Sequence, residues 1–245
     1  MPESRVLAVL ALVAVTIPAP GHAAAAEKPE SSPPPSKEAT STVATTEGST
    51  AVYKPPRRGA PGGRVGGATR GAGGSVLAVS VLAPDHTGLT TSEHPSLYWY
   101  ISGAASSPVE VTVLDPRVIK PLMQIYLSPP VAAGVHRIRL ADHDIRLQPG
   151  VAYRWYVAVV PNANRRSKDI LAGGAIERVA APDGLDAELA KVSPADSSSL
   201  YAEAGLWYDA VASISALIES APEDRKLRRP RAALLAQVGL PDIGE

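Results

Sequence analysis

The side chains with suitable chemistry for catalysis or metal binding lie in two short clusters. Glu93 and His94 are adjacent, and neighbouring side chains of an extended segment point to opposite faces, so we expect that the pair cannot chelate one ion. In the second cluster, Asp142 and Asp144 flank His143 and would share one side of an extended segment, where they could hold a hard cation loosely. Two carboxylates fall short of the roughly six to eight oxygens that calcium takes, so we expect no metal site there.

Other common catalytic signatures are absent from the sequence of 245 residues. It has no cysteine, which excludes disulfides, thiolate zinc sites, cysteine nucleophiles and iron–sulfur ligation. It contains no G-x-S-x-G elbow, and no glycine run stands between a strand and a helix to cradle a phosphate. We therefore expect no catalytic residue, no metal site and no cofactor, and a hydrolase is our third hypothesis.

Aromatic residues are the strongest candidates for contact with a ligand. In a strand, the run from Tyr98 to Tyr100 would place Trp99 on one face and both tyrosines on the other. One face would belong to the core, and the other could be an exposed platform for sugar rings or a partner chain, although edge packing is the more common role. We expect the ligand or partner surface to include Glu93, His94, Trp99, Tyr100, Trp207 and Tyr208.

Residues 75–182 have the pattern of a β-sandwich, because short apolar or alternating runs are separated by turn residues with no helical period between them. A leucine, a Pro-Gly turn and Tyr153 over residues 147–153 resemble the tyrosine corner of fibronectin-type and other immunoglobulin-like sandwiches. We expect a mainly β fold with an α tail, in which the first part is an immunoglobulin/fibronectin-like antiparallel β-sandwich. Its strands are expected at residues 76–82, 97–101, 109–114, 122–127, 135–140, 151–160 and 170–179.

The apolar period becomes helical in the C-terminal segment, residues 183–245. Between residues 207 and 218 the apolar residues recur three and four apart, which predicts a helix that ends before Pro222. Gly239 repeats the position of Gly205 at the 34-residue period of tetratricopeptide repeats. One and a half such units cannot form a solenoid, so we expect a small TPR-like helical segment that packs on the sandwich or serves as a docking helix pair for a partner.

The N-terminal part predicts export. Residues 6–17 form a short apolar run after Arg5, and small residues follow it, so residues 1–26 are expected to be a cleaved signal peptide rather than a membrane span. Residues 27–74 are rich in Pro, Ser and Thr and then in Gly and Arg, which predicts a disordered linker whose basic part could dock on the cell envelope or on the protein's own body. The net charge of zero argues against nucleic acid as a partner. We expect a periplasmic or secreted protein.

Four stretches together resemble an uncharacterised bacterial family, common in cyanobacteria and catalogued as domain of unknown function 928. The resemblance covers about residues 57–245 and implies no activity or site, because the family has none assigned. Relatives tend to carry two cysteines, where this chain has residues 72–75 and 159–160. The resemblance thus implies a disulfide in relatives that ties the basic segment to the sandwich, and this chain lacks it. The four stretches are residues 59–64 with 69–71, residues 89–100, residues 153–156 with 166–169 and 174–179, and residues 201–210.

Our first hypothesis for the function is a non-catalytic interaction module of the bacterial cell envelope that binds a protein partner. The alternative is an envelope glycan-binding protein with Trp99 or Tyr100 as its platform. An apolar groove between sandwich and tail would favour the protein partner. Two adjacent exposed aromatic residues would favour the glycan, and converging carboxylates in a deep pocket would favour an enzyme.

Overall fold

The computed structural model describes residues 51–56, 63–70 and 76–243. The expected signal peptide, residues 1–26, lies outside these ranges. The expected linker, residues 27–74, also lies outside them except for its two short described stretches.

The body of the protein consists of two β-sheets, which we call the β body. All seven strands expected from the sequence are present, each within one residue of its expected ends. Two strands were missed, at Gly67–Arg70 and Gly88–Thr90, and both are too short for an alternating pattern to be visible. In chain order the strands are β1 Gly67–Arg70, β2 Val76–Val81, β3 Gly88–Thr90, β4 Ser96–Ile101, β5 Val109–Leu114, β6 Met123–Leu127, β7 Gly134–Arg139, β8 Ala152–Val159 and β9 Ile170–Arg178.

One sheet has four strands in the order β1-β2-β4-β7, and the other has five in the order β3-β9-β8-β5-β6. All pairs of neighbouring strands are antiparallel except β3 and β9, which are parallel, so the expectation of a purely antiparallel arrangement was wrong at this edge. The buried side chains of both sheets join one core cluster, in which Trp99 and Trp155 are among the largest fully buried residues.

The turn before β8 has the hydrogen bond expected of a tyrosine corner. The Tyr153 hydroxyl accepts a hydrogen bond from the backbone N–H of Gln148 at 3.0 Å. Gly150 lies between them with φ of +72°, in the left-handed region that favours glycine. Tyr153 is buried, so its hydroxyl fixes the entry to β8 from inside the core.

The C-terminal tail is helical, as expected. Its helices are α1 Leu185–Leu189, α2 Pro194–Glu203, α3 Trp207–Ser220 and α4 Arg228–Gln237. Ser193 caps α2 by accepting the backbone N–H of Asp196, and Pro194 occupies the first turn, where a missing N–H has no consequence. The predicted apolar stripe of α3 is buried, apart from Leu217, which is half-buried. Within the described residues, no helix combines the length and the apolar character needed to cross a membrane.

Both described stretches of the expected linker lie against folded structure. In the first, the Gln237 side chain holds the backbone of residues 51–56: its Oε1 accepts the N–H of Tyr53, and its Nε2 donates to the carbonyl of Ala51, both at 2.8 Å. In the second, β1 pairs with β2. The first stretch is also anchored by Tyr53, which is buried and meets Trp207 edge-on at 4.9 Å between ring centroids. The linker-like composition of residues 27–74 gave no indication that Tyr53 would be buried.

Candidate functional site

A cleft of about 520 Å³ lies between the β body and the helical tail, and we call it the tail cleft. One wall is the loop from β3 to β4, and the other is formed by α2, α3 and the residues that connect α1 to α2. Its lining combines apolar side chains, hydroxyl groups, one imidazole and one carboxylate: Thr90, Ser92, His94, Pro95, Ser96, Leu189, Val192, Pro194, Ser197, Tyr201, Tyr208, Asp209, Ala212 and Ser213.

Asp209 is the carboxylate of the tail cleft, and it fastens α3 to the β body. Its Oδ2 accepts the backbone N–H of Thr91 at 2.8 Å, and its Oδ1 accepts the hydroxyl hydrogen of Thr90 at 3.1 Å. Burial raises the pKa of Asp209 to about 6, because the loss of hydration outweighs these hydrogen bonds, which favour the ionised form. Both oxygens are thus already engaged by the protein.

His94 lies on the opposite wall, and its Nδ1 is 2.8 Å from the carbonyl oxygen of Ile145. A carbonyl only accepts, so Nδ1 donates a hydrogen to it, and the second ring nitrogen, Nε2, faces Glu93. That atom lies 3.5 Å from Oε1 of Glu93, whose Oε2 also contacts Arg146 at 3.1 Å and Arg178 at 3.5 Å. The expectation that Glu93 and His94 point apart was wrong, because the chain bends here instead of running extended.

The meeting of Glu93 and His94 does not make a metal centre. Among the described residues, no three His, Asp or Glu side chains come close enough together to hold an ion. In the second histidine cluster, Asp142 accepts a hydrogen bond from Arg139 at 2.9 Å, and the backbone forms a short 3-10 turn rather than an extended segment.

The aromatic residues expected at the surface lie mostly in the core. Trp99 is 0% exposed and stacks on His136 at 4.5 Å between ring centroids, so it cannot serve as an exposed platform. Its face of β4 is turned inward together with Leu97 and Ile101. On the opposite face, Tyr100 is half-buried and Tyr98 is buried. The structure therefore contains no adjacent exposed pair at this run.

Trp207 and Tyr208 are also buried, and both tie the tail to the β body. The Trp207 Nε1 donates a hydrogen bond to the carbonyl of Leu82 at 2.9 Å. The Tyr208 hydroxyl donates to the carbonyl of Ala175 at 3.0 Å and accepts from Nε1 of Trp155 at 2.9 Å. Of the six residues expected at the ligand surface, only His94 and Tyr208 therefore line the tail cleft, and Tyr208 does so from a buried position.

Comparison with known protein families shows which family this chain resembles. A protein-family model described as Domain of Unknown Function (DUF928) matches residues 65–245. This chain belongs to the DUF928 family. The match confirms the resemblance inferred from the four sequence stretches, and no curated protein sequence matches the chain. The DUF928 match includes every residue that lines the tail cleft, whereas residues 51–56 precede it.

Asp209 is the residue of this DUF928 chain that sequence reasoning missed. It stands at the third position of α3, where an acidic residue is common because it favours the helix dipole. That local role gave no reason to single it out. Its partners Thr90 and Thr91 are 119 and 118 residues away in the sequence, so only the folded chain brings them together.

Proposed function

We propose that this chain is an exported, non-catalytic module of the bacterial cell envelope that binds a protein partner through the tail cleft. The observation that carries the proposal is the chemistry of this cleft between tail and β body. Its carboxylate, Asp209, accepts hydrogen bonds from Thr90 and Thr91, and the Nδ1 hydrogen of His94 is donated to a backbone carbonyl. Both oxygens of Asp209 and Nδ1 of His94 are thus engaged by the protein itself.

The partner we propose is an extended, uncharged polypeptide segment. Apolar side chains such as Val192 and Tyr201 offer surface for its side chains, and hydroxyl groups such as Ser96 and Ser213 offer donors and acceptors for its backbone. The cleft is lined by both the β body and the tail, so one partner segment can contact both. A glycan has less support, since the expected Trp99 platform is buried.

We further propose that the β body is immunoglobulin-like and that the tail is TPR-like. The Tyr153 corner supports the first assignment, although the parallel pairing of β3 with β9 is an addition to a purely antiparallel sandwich. Positive φ angles at both Gly205 and Gly239, +77° and +74°, support the second, because equivalent helix ends recur at the repeat period.

Export is part of the proposal and is supported by residues 1–26, whose charged start, short apolar run and small-residue exit are typical of a signal peptide. If the chain is exported, its partner lies in the periplasm or at the cell surface. A chain without cysteine can work in that oxidising compartment without forming unwanted disulfides.

A matched pair of variants tests the cleft. Ala212 is half-buried in the lining of the tail cleft, so Ala212→Trp places an indole in the tail cleft. Ala236→Trp adds the same group at an exposed position of α4. The mature protein and both variants are crosslinked in envelope extract, and the captured proteins are identified by mass spectrometry. We expect one defined partner to be captured by the wild type and by Ala236→Trp and to be lost with Ala212→Trp. Equal capture by both variants would refute the cleft as the binding surface.

A further inference from the structure

A second cavity, of about 300 Å³, lies on the face of the four-stranded sheet that carries Tyr98, and we call it the arginine cavity. The end of α3 and the start of α4 form its other wall, with Glu219 from α3 and Arg228 and Arg231 from α4. Its lining shares no residue with that of the tail cleft.

Arg231 is the unusual residue of the arginine cavity. It is only 7% exposed, and its buried Nε has no hydrogen-bond partner in the described part of the chain. Burial lowers the pKa of Arg231, since the charged form has lost hydration, whereas Tyr98 and Glu219 raise it by attraction and Arg228 lowers it by repulsion. A buried cation without a partner is unfavourable unless a counter-charge occupies the space beside it.

The surrounding charges are also unbalanced. Glu219 is the only carboxylate in the lining, and it forms an ion pair with Arg137 of β7. Arg228 makes a hydrogen bond to the backbone carbonyl of Pro222 at 2.8 Å, which does not neutralise its charge. Because Glu219 is paired with Arg137, which lies outside the lining, Arg228 and Arg231 are left as two positive charges without an ion-pair partner in the lining.

We propose that the arginine cavity is a binding site for a doubly charged oxyanion of the phosphate type, either inorganic phosphate or a small phosphomonoester. Arg228 and Arg231 stand three residues apart on α4, so their side chains project from the same side of the helix. Guanidinium groups match the oxygens of phosphate with paired hydrogen bonds, and a dianion balances both unmatched charges. The cavity has room for a small organic group beside the phosphate.

The test uses the mature chain and isothermal titration calorimetry at pH 8 and constant ionic strength. Inorganic phosphate and glycerol phosphate are titrated separately, to distinguish the two sources of the oxyanion, and acetate serves as the singly charged comparison. Arg231→Met removes the buried charge but keeps much of the side-chain volume. Arg229→Met removes the same charge from an exposed neighbour that does not line the cavity, and it is the matched control.

We expect the wild type and Arg229→Met to bind at least one phosphate compound more tightly than acetate. Arg231→Met should weaken that binding by at least about tenfold, which corresponds to the loss of one charge-assisted hydrogen bond. If Arg231→Met does not fold, Arg228→Met, which acts on the partly exposed arginine, takes its place with the same expectation. The proposal would be overturned if the arginine-cavity variant bound phosphate as tightly as Arg229→Met does. It would also be overturned if the wild type bound neither phosphate compound more tightly than acetate.

Discussion

Replacing Tyr208 with phenylalanine tests how the helical tail is fastened to the β body. The substitution removes one oxygen from a side chain that is 2% exposed and leaves the ring in place. That oxygen donates to the Ala175 carbonyl at 3.0 Å and accepts from Nε1 of Trp155 at 2.9 Å. Among the described residues, the indole N–H has no other partner, so it would become a buried donor without an acceptor.

The size of the effect follows from these two contacts. Leaving one buried polar group unsatisfied costs about 1–3 kcal/mol, and Tyr208→Phe affects two such groups. We therefore expect the free energy of unfolding to fall by about 3 kcal/mol, which is a large part of the stability of an ordinary domain. No apolar surface is removed, so the dependence of the unfolding free energy on denaturant concentration should keep its slope.

Urea denaturation followed by tryptophan fluorescence measures this loss, since Trp155 and Trp207 are both buried at the junction. Tyr126→Phe is the matched control, because Tyr126 is 58% exposed and its hydroxyl takes part in side-chain hydrogen bonds with Gln124 and Glu110 rather than with buried groups of the tail junction. The control should change the free energy of unfolding by less than about 0.5 kcal/mol. If Tyr208→Phe were as mild as the control, the buried hydroxyl would not be what fastens the tail.

Two further predictions concern Asp209 and Gln237. Because the pKa of Asp209 is raised from 3.8 to about 6, the stability that its protonated form contributes is present below about pH 4 and is lost as the pH rises through 6. At each pH, the free energy of unfolding of Asp209→Asn is compared with that of the wild type. This difference should shift by roughly 3 kcal/mol in favour of Asp209→Asn from pH 4 to pH 7. A difference that stays constant with pH would contradict the prediction. Gln237→Leu removes the hydrogen bonds to Ala51 and Tyr53, so we expect faster hydrogen exchange at the Tyr53 amide, measured by mass spectrometry, with unchanged exchange in β8. Unchanged protection of Tyr53 would show that its buried ring alone holds residues 51–56.

The elements with a regular pattern were predictable because their signal is local. An antiparallel strand with one buried face alternates in polarity, and a helix against a core repeats every three to four residues, so seven strands and α3 could be located from neighbouring residues alone. The Tyr153 corner was predictable for the same reason, since its hydroxyl and the Gln148 N–H are only five residues apart.

Contacts between distant residues account for what the sequence did not reveal. Alternation separates Trp99 from Tyr98 and Tyr100, but it does not say which face the core will cover, and here α3 and α4 cover part of the second face as well. The strand Gly88–Thr90 is three residues long and is defined by its parallel partner β9.

The same contrast between local sequence and distant contacts applies to the residues that could take part in chemistry. Composition alone established that cysteine chemistry is impossible for this chain and that its net charge is zero. The tertiary structure decided that Asp209 is buried beside Thr90 and that Arg231 is buried with no hydrogen-bond partner for its Nε among the described residues. The physical reason is that hydration and charge pairing depend on every group within a few ångströms, and folding brings those groups together from segments more than a hundred residues apart.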